Sequence, residues 1–148
     1  MNRGHPVQIL LVEDDPAHAE IVKRSLADFR VANRLTHLED GQAAMDYLQR
    51  RPPYVSPESS PTPDLVLLDL RLPKVDGLEV LRRMKEDPAL QRIPIVILTT
   101  STADRDLAGA YQQGAASYLA KPVDFTKFAA LLETFGFYWL VWNEFPGE

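Results

Sequence analysis

Residues 7–15 have the sequence VQILLVEDD, in which a nearly continuous apolar run stops at three acidic side chains. An apolar run of this length predicts a strand covered on both faces, as in a parallel sheet. Asp15 then has the position of a helix cap and Pro16 that of the first helical residue. We expect a helix to about residue 30, with one apolar side formed by Ile21, Val22, Leu26 and Phe29.

The same strand-then-helix pattern repeats along the chain. Further strands are predicted over residues 34–38, 65–70, 93–99 and 117–119. Further helices are predicted after Asp40-Gly41, after Asp76-Gly77, over residues 103–113 with Gly114 at the end, and after Asp124. Parallel neighbours need crossover helices, so five such units specify an α/β fold: a doubly wound five-stranded parallel sheet flanked by five helices.

Composition restricts the classes of protein that fit. The chain has 148 residues, of which 45% are hydrophobic and 25% charged, as expected for one globular domain. The absence of cysteine excludes disulfides and thiolate catalysis, and it fits a cytoplasmic protein. A net charge of -5 argues against nucleic acid binding through a basic face, and the apolar runs are too short to span a membrane. We therefore expect neither a nucleic acid nor a membrane partner.

Two regions depart from the alternating pattern. Residues 51–62 are rich in proline and serine, which predicts a surface insertion between the second helix and the third strand. Residues 136–148 form a C-terminal extension rich in aromatic side chains, which a monomer rarely leaves in water. The predicted organisation is one domain over residues 1–135, with its core at 7–132, followed by a self-association segment.

Acidic residues and one lysine follow three of the predicted strands. Glu13 and Asp14 follow the first strand, Asp69 the third, and Lys121 the fifth. Carboxyl ends of parallel strands share one edge of the sheet, so these side chains should converge there. Carboxylates with one ammonium predict a Mg²⁺ site that receives a phosphoryl group. Asp69 would attack phosphorus without a general base, because a carboxylate is ionised near pH 7.

These residues resemble the receiver domains of two-component response regulators. The resemblance covers about residues 7 to 132 and implies the flavodoxin-like receiver fold. It is carried by Leu11-Val12-Glu13-Asp14, Asp69 within residues 64–73, Asp76-Gly77, residues 98–100, Gly114-Ala115, Tyr118 and Lys121-Pro122.

The resemblance implies that Asp69 accepts a phosphoryl group from a sensor histidine kinase. Mg²⁺ would be held by Asp69, by Asp14 directly, by Glu13 through water and by the backbone carbonyl of Arg71. Lys121 would pair with the phosphoryl oxygens, and its peptide bond to the following proline would be cis. The chain would then catalyse only its own phosphorylation and slow dephosphorylation, and would not otherwise be an enzyme.

The resemblance also implies a switch. Thr99 would be the hydroxyl that moves toward the phosphate, with Thr100 as the alternative register. Tyr118 would be the aromatic side chain that turns inward when this hydroxyl moves. Aspartate and glycine at positions 76 and 77 are instead expected to form a turn and helix start, where glycine supplies unusual backbone angles.

The C-terminal extension resembles that of stand-alone regulators paired with bacterial phytochromes. A bacteriophytochrome kinase is the partner that this implies. We also expect a homodimer, for which the candidate interface residues are Phe125, Phe135, Phe137, Tyr138, Trp139 and Trp142.

Other functions fit the sequence less well. A phosphatase of the haloacid-dehalogenase type needs a second aspartate two positions after the nucleophile, where this chain has Arg71. A flavodoxin-like FMN protein needs a phosphate-binding loop after the first strand, where the acidic residues would repel phosphate. A phosphorylation-independent pseudo-receiver is disfavoured because no key acidic residue or lysine is missing. For His5, His18 and His37 we expect surface or packing roles.

Overall fold

The computed structural model describes residues 6–27, 32–99, 109–110, 112–115, 117–121, 124, 126–128 and 130. The strands and helices alternate: β1 (Val7–Val12), α1 (Pro16–Ala27), β2 (Asn33–Leu38), α2 (Gly41–Leu48), β3 (Leu65–Asp69), α3 (Gly77–Glu86), β4 (Ile95–Thr99) and β5 (Ser117–Ala120). Residues 109, 110 and 112 are helical before β5, as are 126–128 and 130 after it. No helix in these ranges combines the length and hydropathy that crossing a bilayer requires.

The five strands form one sheet in the order β2-β1-β3-β4-β5, and every neighbouring pair is parallel. From β1 the chain passes to β2 on one side and then to β3 on the other. The strand order therefore reverses beside β1, and a crevice opens between the carboxyl ends of β1 and β3. The predicted doubly wound parallel sheet is confirmed, and its crevice lies where the acidic residues follow the strands.

Apolar clusters cover the two faces of the sheet. Along β1, Ile9 and Leu11 point to the face covered by α1, whereas Leu10 and Val12 point to the face covered by α2 and α3. Phe128 joins the first cluster and Ala110 the second. This alternation follows from the two-residue period of a strand. Both faces of the sheet are therefore buried at the three central strands, β1, β3 and β4, as their apolar runs predict.

Helix α1 begins as predicted, but its buried face differs from the prediction. Asp15 caps it, because its Oδ1 accepts a hydrogen bond from the Ala17 amide at 2.9 Å. The placement of Ile21 on the buried face is wrong, since this side chain is 42% exposed. Successive helical residues are about 100° apart, so Ile21 lies beside the buried row instead of within it. The buried residues of α1 are His18, Ala19, Val22 and Leu26, and Phe29 lies outside the described residues.

The proline-rich segment contains turns but no helix or strand over residues 49–64. It is nevertheless tied to the end of α2. The Tyr47 hydroxyl donates to the Pro61 carbonyl at 2.7 Å, and Arg50 donates to the Ser60 carbonyl at 3.1 Å. The ring of Tyr54 packs against Tyr47 with centroids 5.3 Å apart. The insertion is therefore a surface segment with specific anchors.

Candidate functional site

Three carboxylates meet at the crevice between β1 and β3. Glu13 directly follows β1, and its amide donates to the Leu38 carbonyl of β2 at 3.0 Å. Asp69 is the last residue of β3 and is only 5% exposed. One carboxylate oxygen from each of Glu13, Asp14 and Asp69 lies within 4.8 Å of the others. The structure thus brings together the three acidic side chains that the sequence places at strand ends.

Lys121 enters the same crevice from the end of β5. Its amide donates to the Thr99 carbonyl at 2.9 Å, which fixes its backbone beside β4. Its ammonium Nζ lies 2.6 Å from Oε1 of Glu13 and 2.9 Å from Oδ2 of Asp69. The lysine therefore bridges two buried carboxylates. Its predicted cis peptide bond involves Pro122, which lies outside the described residues.

The charges in the crevice shift one another's pKa. Burial raises the pKa of Glu13, and the neighbouring Asp69 adds to this rise, while the hydrogen bond from Lys121 opposes it. Burial lowers the pKa of Lys121, but its hydrogen bonds to the two carboxylates outweigh burial, so that the pKa is raised overall. Lys121 consequently keeps its positive charge near neutral pH. A bound divalent cation would favour the ionised form of Glu13 by adding further positive charge.

The turn after β3 fixes Asp69 from the other side. The Arg71 amide donates to Oδ1 of Asp69 at 3.1 Å, and the Gly77 amide donates to the Leu70 carbonyl at 3.1 Å. A Cβ on Gly77 would lie 2.1 Å from the carbonyl oxygen of Asp69. The expectation that Gly77 supplies an unusual backbone angle is wrong, because among the described glycines Gly114 is the one with positive φ. Position 77 requires glycine because the backbone passes too close to β3 for a side chain.

The crevice opens into a cavity of about 520 Å³, lined by Glu13, Asp14, Asp15, Asp69, Arg71, Thr99 and Lys121. Thr99 is the buried last residue of β4. Tyr118 lies on β5, is 40% exposed and is not among the lining residues. Thr100 lies outside the described residues, as do the six candidate dimer residues. The cavity thus places Thr99, but not Tyr118, beside Asp69.

Two histidines that were not predicted as site residues contact Glu13. Nδ1 of His18 lies 2.8 Å from Oε1 of Glu13, and Nε2 of His37 lies 2.8 Å from the Glu13 backbone oxygen. The signal for His18 is its spacing, since it lies four residues before Val22 on the buried side of α1. A polar residue on that side, in the turn that follows an acidic strand end, indicates a partner at the strand end.

The carboxylates suit a hard divalent cation. Mg²⁺ binds oxygen ligands at 2.0–2.1 Å, so two oxygens on one ion are at most about 4.2 Å apart. The spacing of up to 4.8 Å among the three carboxylates exceeds that value only slightly. Glu13, Asp14 and Asp69 therefore have the donor type of a divalent-cation site, and their oxygens would have to move only slightly closer to share one ion.

The sequence matches one family model and several known proteins over most of its length. A family model described as response regulator receiver domain matches residues 9–133. Probable methanogenesis regulatory protein FilR2 of Methanothrix harundinacea is 46% identical over 142 residues, which cover 96% of this chain and 89% of that protein. Response regulator Rcp1 of Synechocystis sp. is 41% identical over 135 residues, which cover 91% of this chain and 90% of that protein.

Solved structures agree with these relatives. The Mn²⁺-bound form of Rcp1 has a TM-score of 0.75 at 41% identity, and the match covers 91% of this chain and 95% of that one. The phosphorylated cyanobacterial phytochrome response regulator RcpA has a TM-score of 0.77 at 35% identity, with 92% and 95% covered. The sequence and the fold match over nearly the whole of these proteins, and this chain belongs to the response regulator receiver domain family.

Proposed function

We propose that this receiver domain is a phosphorylation switch in which Asp69 accepts a phosphoryl group from a histidine kinase. The observation that carries the proposal is the position of Asp69, a buried carboxylate that lines the cavity and is bridged by Lys121 to Glu13. A second acidic side chain, Asp14, lies within reach of the same cation. Acceptance of a negatively charged group needs positive charge beside the nucleophile, which Lys121 and a bound divalent cation would supply.

The transfer follows from the groups in the crevice. An Asp69 oxygen forms the bond to phosphorus while the bond from phosphorus to the kinase imidazole breaks, and the electron pair of the broken bond stays on the imidazole. Lys121 neutralises the phosphoryl oxygens, since its ammonium is already 2.9 Å from Asp69. A divalent cation, Mg²⁺ by our prediction, would supply the remaining positive charge when bound by Glu13, Asp14, Asp69 and the Arg71 carbonyl.

The phosphate would be sensed by Thr99 and reported through β5. An aspartyl phosphate adds about 1.5 to 2 negative charges and strong acceptor oxygens. Thr99 lines the same cavity as Asp69, and its carbonyl accepts from the Lys121 amide, so a shift of either residue displaces the other. Tyr118 lies on β5, three residues before Lys121, and is exposed, which leaves it able to become buried when β4 and β5 rearrange. If the arrangements before and after this change are two states in equilibrium, shifting their ratio from 1:99 to 99:1 takes about 5.5 kcal/mol of differential binding.

A phytochrome-type kinase is the partner that we propose. The support is similarity to RcpA, named a phytochrome response regulator, at 35% identity and a TM-score of 0.77. FilR2 shares more identity and carries the name of a methanogenesis regulator, so the partner requires a direct test. Phosphotransfer from a phytochrome histidine kinase should be at least about tenfold faster than from a kinase without a light sensor. Equal rates would contradict this assignment.

We also propose a homodimer formed through Phe125 and the aromatic residues of 135–142. The support is the sequence, because these positions lie outside the described residues. Sedimentation velocity should show a dimer, with beryllofluoride changing its amount. A compact monomer at high concentration, with and without beryllofluoride, would contradict the dimer without affecting the role of Asp69.

Phosphate incorporation tests the proposed function. The protein is incubated with Mg²⁺ and either acetyl phosphate or a phosphorylated kinase, and its intact mass is measured. One phosphate is expected, and Asp69→Asn should abolish it. Asp64→Asn, five positions earlier, is the control that should leave labelling intact. Absence of phosphate with both donors would favour the pseudo-receiver.

A further inference from the structure

Three hydrogen-bond donors surround the side-chain carboxylate of Glu13. Its Oε1 lies 2.6 Å from Nζ of Lys121 and 2.8 Å from Nδ1 of His18, and its Oε2 accepts from the Asp15 amide at 3.2 Å. The carboxylate itself is fully buried. An ionised carboxylate at this depth is stable only while its oxygens have partners.

The Lys121 contact cannot stay unchanged through the proposed reaction. The same ammonium is 2.9 Å from Asp69 and is the group that would pair with phosphoryl oxygens on that residue. As the Lys121 ammonium turns toward the phosphate, its ion pair with Glu13 weakens. His18 then becomes the remaining side-chain donor to Oε1 among the described residues.

His18 is placed for this task. The ring is 7% exposed, and its Nε2 has no hydrogen-bond partner in the described part of the chain. An Nε2–H buried without a partner would be costly, so the tautomer that carries its proton on Nδ1 fits best. His18 therefore donates to Glu13. The Glu13 backbone has its own anchor, the His37 ring at 2.8 Å from its carbonyl oxygen.

We propose that His18 is a positioning residue that keeps the Glu13 carboxylate directed at the cation when Lys121 moves to the phosphoryl group. The inference rests on the proposed function, because it assumes a divalent cation beside Asp69. Hydrogen-bond partners of metal ligands typically change metal affinity 10- to 100-fold when they are removed. The effect belongs to the donated hydrogen bond and not to the volume of the ring.

Mn²⁺ binding to the full chain, followed by the electron paramagnetic resonance signal of the free ion, tests this role. His18→Leu should weaken Mn²⁺ binding by about tenfold or more. His18→Asn should bind nearly as well as the wild type, because the asparagine amide nitrogen occupies the place of Nδ1. Val22→Ala, on the same buried side of α1, should lower the melting temperature and leave Mn²⁺ affinity unchanged.

A second arm uses Lys121→Met, in which Glu13 has already lost the ammonium. In that background His18→Leu should cost more Mn²⁺ affinity than it does in the wild type, because His18 has become the remaining side-chain donor. An equal cost in the two backgrounds would contradict the proposal. A double-mutant cycle measures this difference directly.

Two other results would also overturn the inference: wild-type Mn²⁺ affinity in His18→Leu, or a loss in His18→Asn as large as in His18→Leu. If His18→Leu does not fold, His18→Asn is compared with His18→Gln, whose amide lies one carbon further out and should fail to support binding. Failure of the wild type to bind Mn²⁺ would instead contradict the proposed cation site, so the two failures are distinguishable.

Discussion

Nζ of Lys121 lies 2.9 Å from Oδ2 of Asp69, although the two residues are 52 positions apart in the sequence. The same ammonium is 2.6 Å from Oε1 of Glu13, so that the Lys121 side chain pairs with two buried carboxylates. Lys121→Met should therefore lower the free energy of unfolding by about 1–3 kcal/mol without divalent ions, because two buried charges lose their partner. Adding Mg²⁺ should recover part of the loss. Urea denaturation with EDTA and with Mg²⁺ measures both effects.

Lys74→Met is the matched control for this substitution. Lys74 pairs with Asp40 at 3.6 Å, but its side chain is 68% exposed, against 10% for Lys121. Exposed pairs contribute about 0–1 kcal/mol, so the control should change stability little and show no dependence on Mg²⁺. Equal losses in the two variants would contradict the bridging role of Lys121.

Gly77→Ala should be strongly destabilising. The added Cβ would lie 2.1 Å from the Asp69 carbonyl oxygen, so the turn after β3 would have to move. We expect a loss of about 2–4 kcal/mol in unfolding free energy, together with slower phosphorylation of Asp69. Thermal and urea denaturation measure the loss of stability, and intact-mass kinetics measure the rate.

Gly109→Ala is the comparison that isolates this close approach. Gly109 is helical, and its added Cβ would meet a Leu78 side-chain carbon at 3.7 Å, which is ordinary contact. Alanine is favoured over glycine in a helix by up to about 1 kcal/mol, so this variant should be neutral or more stable. A similar destabilisation by both substitutions would show that Gly77 has no special requirement.

Thr99→Ala should separate phosphate acceptance from signalling. The variant keeps Asp69 and Lys121, so labelling should persist, but the hydroxyl that reports the phosphate is gone. In the wild type, beryllofluoride should change hydrogen exchange over residues 117–121, and Thr99→Ala should remove that change. Thr99→Ser retains a hydroxyl and should restore it. The same exchange response in Thr99→Ala as in the wild type would reject Thr99 as the switch residue.

Glu79 on α3 gives a pH dependence of stability. Hydrogen bonds from Arg82 and then Arg83 lower the pKa of Glu79 from 4.5 to about 2. A carboxylate whose pKa is lower in the folded state stabilises that state above pH 4.5. This stabilisation is lost as the pH falls through about 2. Glu79→Gln should thus be slightly less stable than the wild type at neutral pH, with the difference shrinking below about pH 4. A difference that stays constant down to about pH 3 in urea titrations would contradict this coupling.

The fold was predictable because its signals are local. The buried strands β1, β3 and β4 are nearly continuous apolar runs, such as residues 7–12, and a helical pattern follows each of them in the sequence. Helices are capped by three aspartates that directly precede the predicted helix starts: Asp15, Asp40 and Asp124. Each accepts a hydrogen bond from a backbone amide of its helix. The carboxylate cluster followed from the same reasoning, because parallel strands bring their carboxyl ends to one edge.

The remaining features depend on distances between segments that are remote in the sequence. The contact of His37 with Glu13 spans 24 positions and arises from the pairing of β1 with β2. The need for glycine at position 77 arises from the approach of one turn to Asp69. Ile21 is exposed because it lies about 100° around α1 from the buried Val22. Its apolar side chain alone does not show which side of the helix it occupies. Residue type indicated none of these three relationships.

Chemical identification of the phosphorylated residue distinguishes Asp69 from the other carboxylates of the crevice as the acceptor. After phosphorylation with acetyl phosphate and Mg²⁺, borohydride reduces an acyl phosphate to an alcohol, and peptide mass mapping then locates the reduced side chain. Reduction is expected at Asp69 and at no other carboxylate. Reduction at Asp14 or Glu13 instead, or a phosphate that resists borohydride, would contradict it.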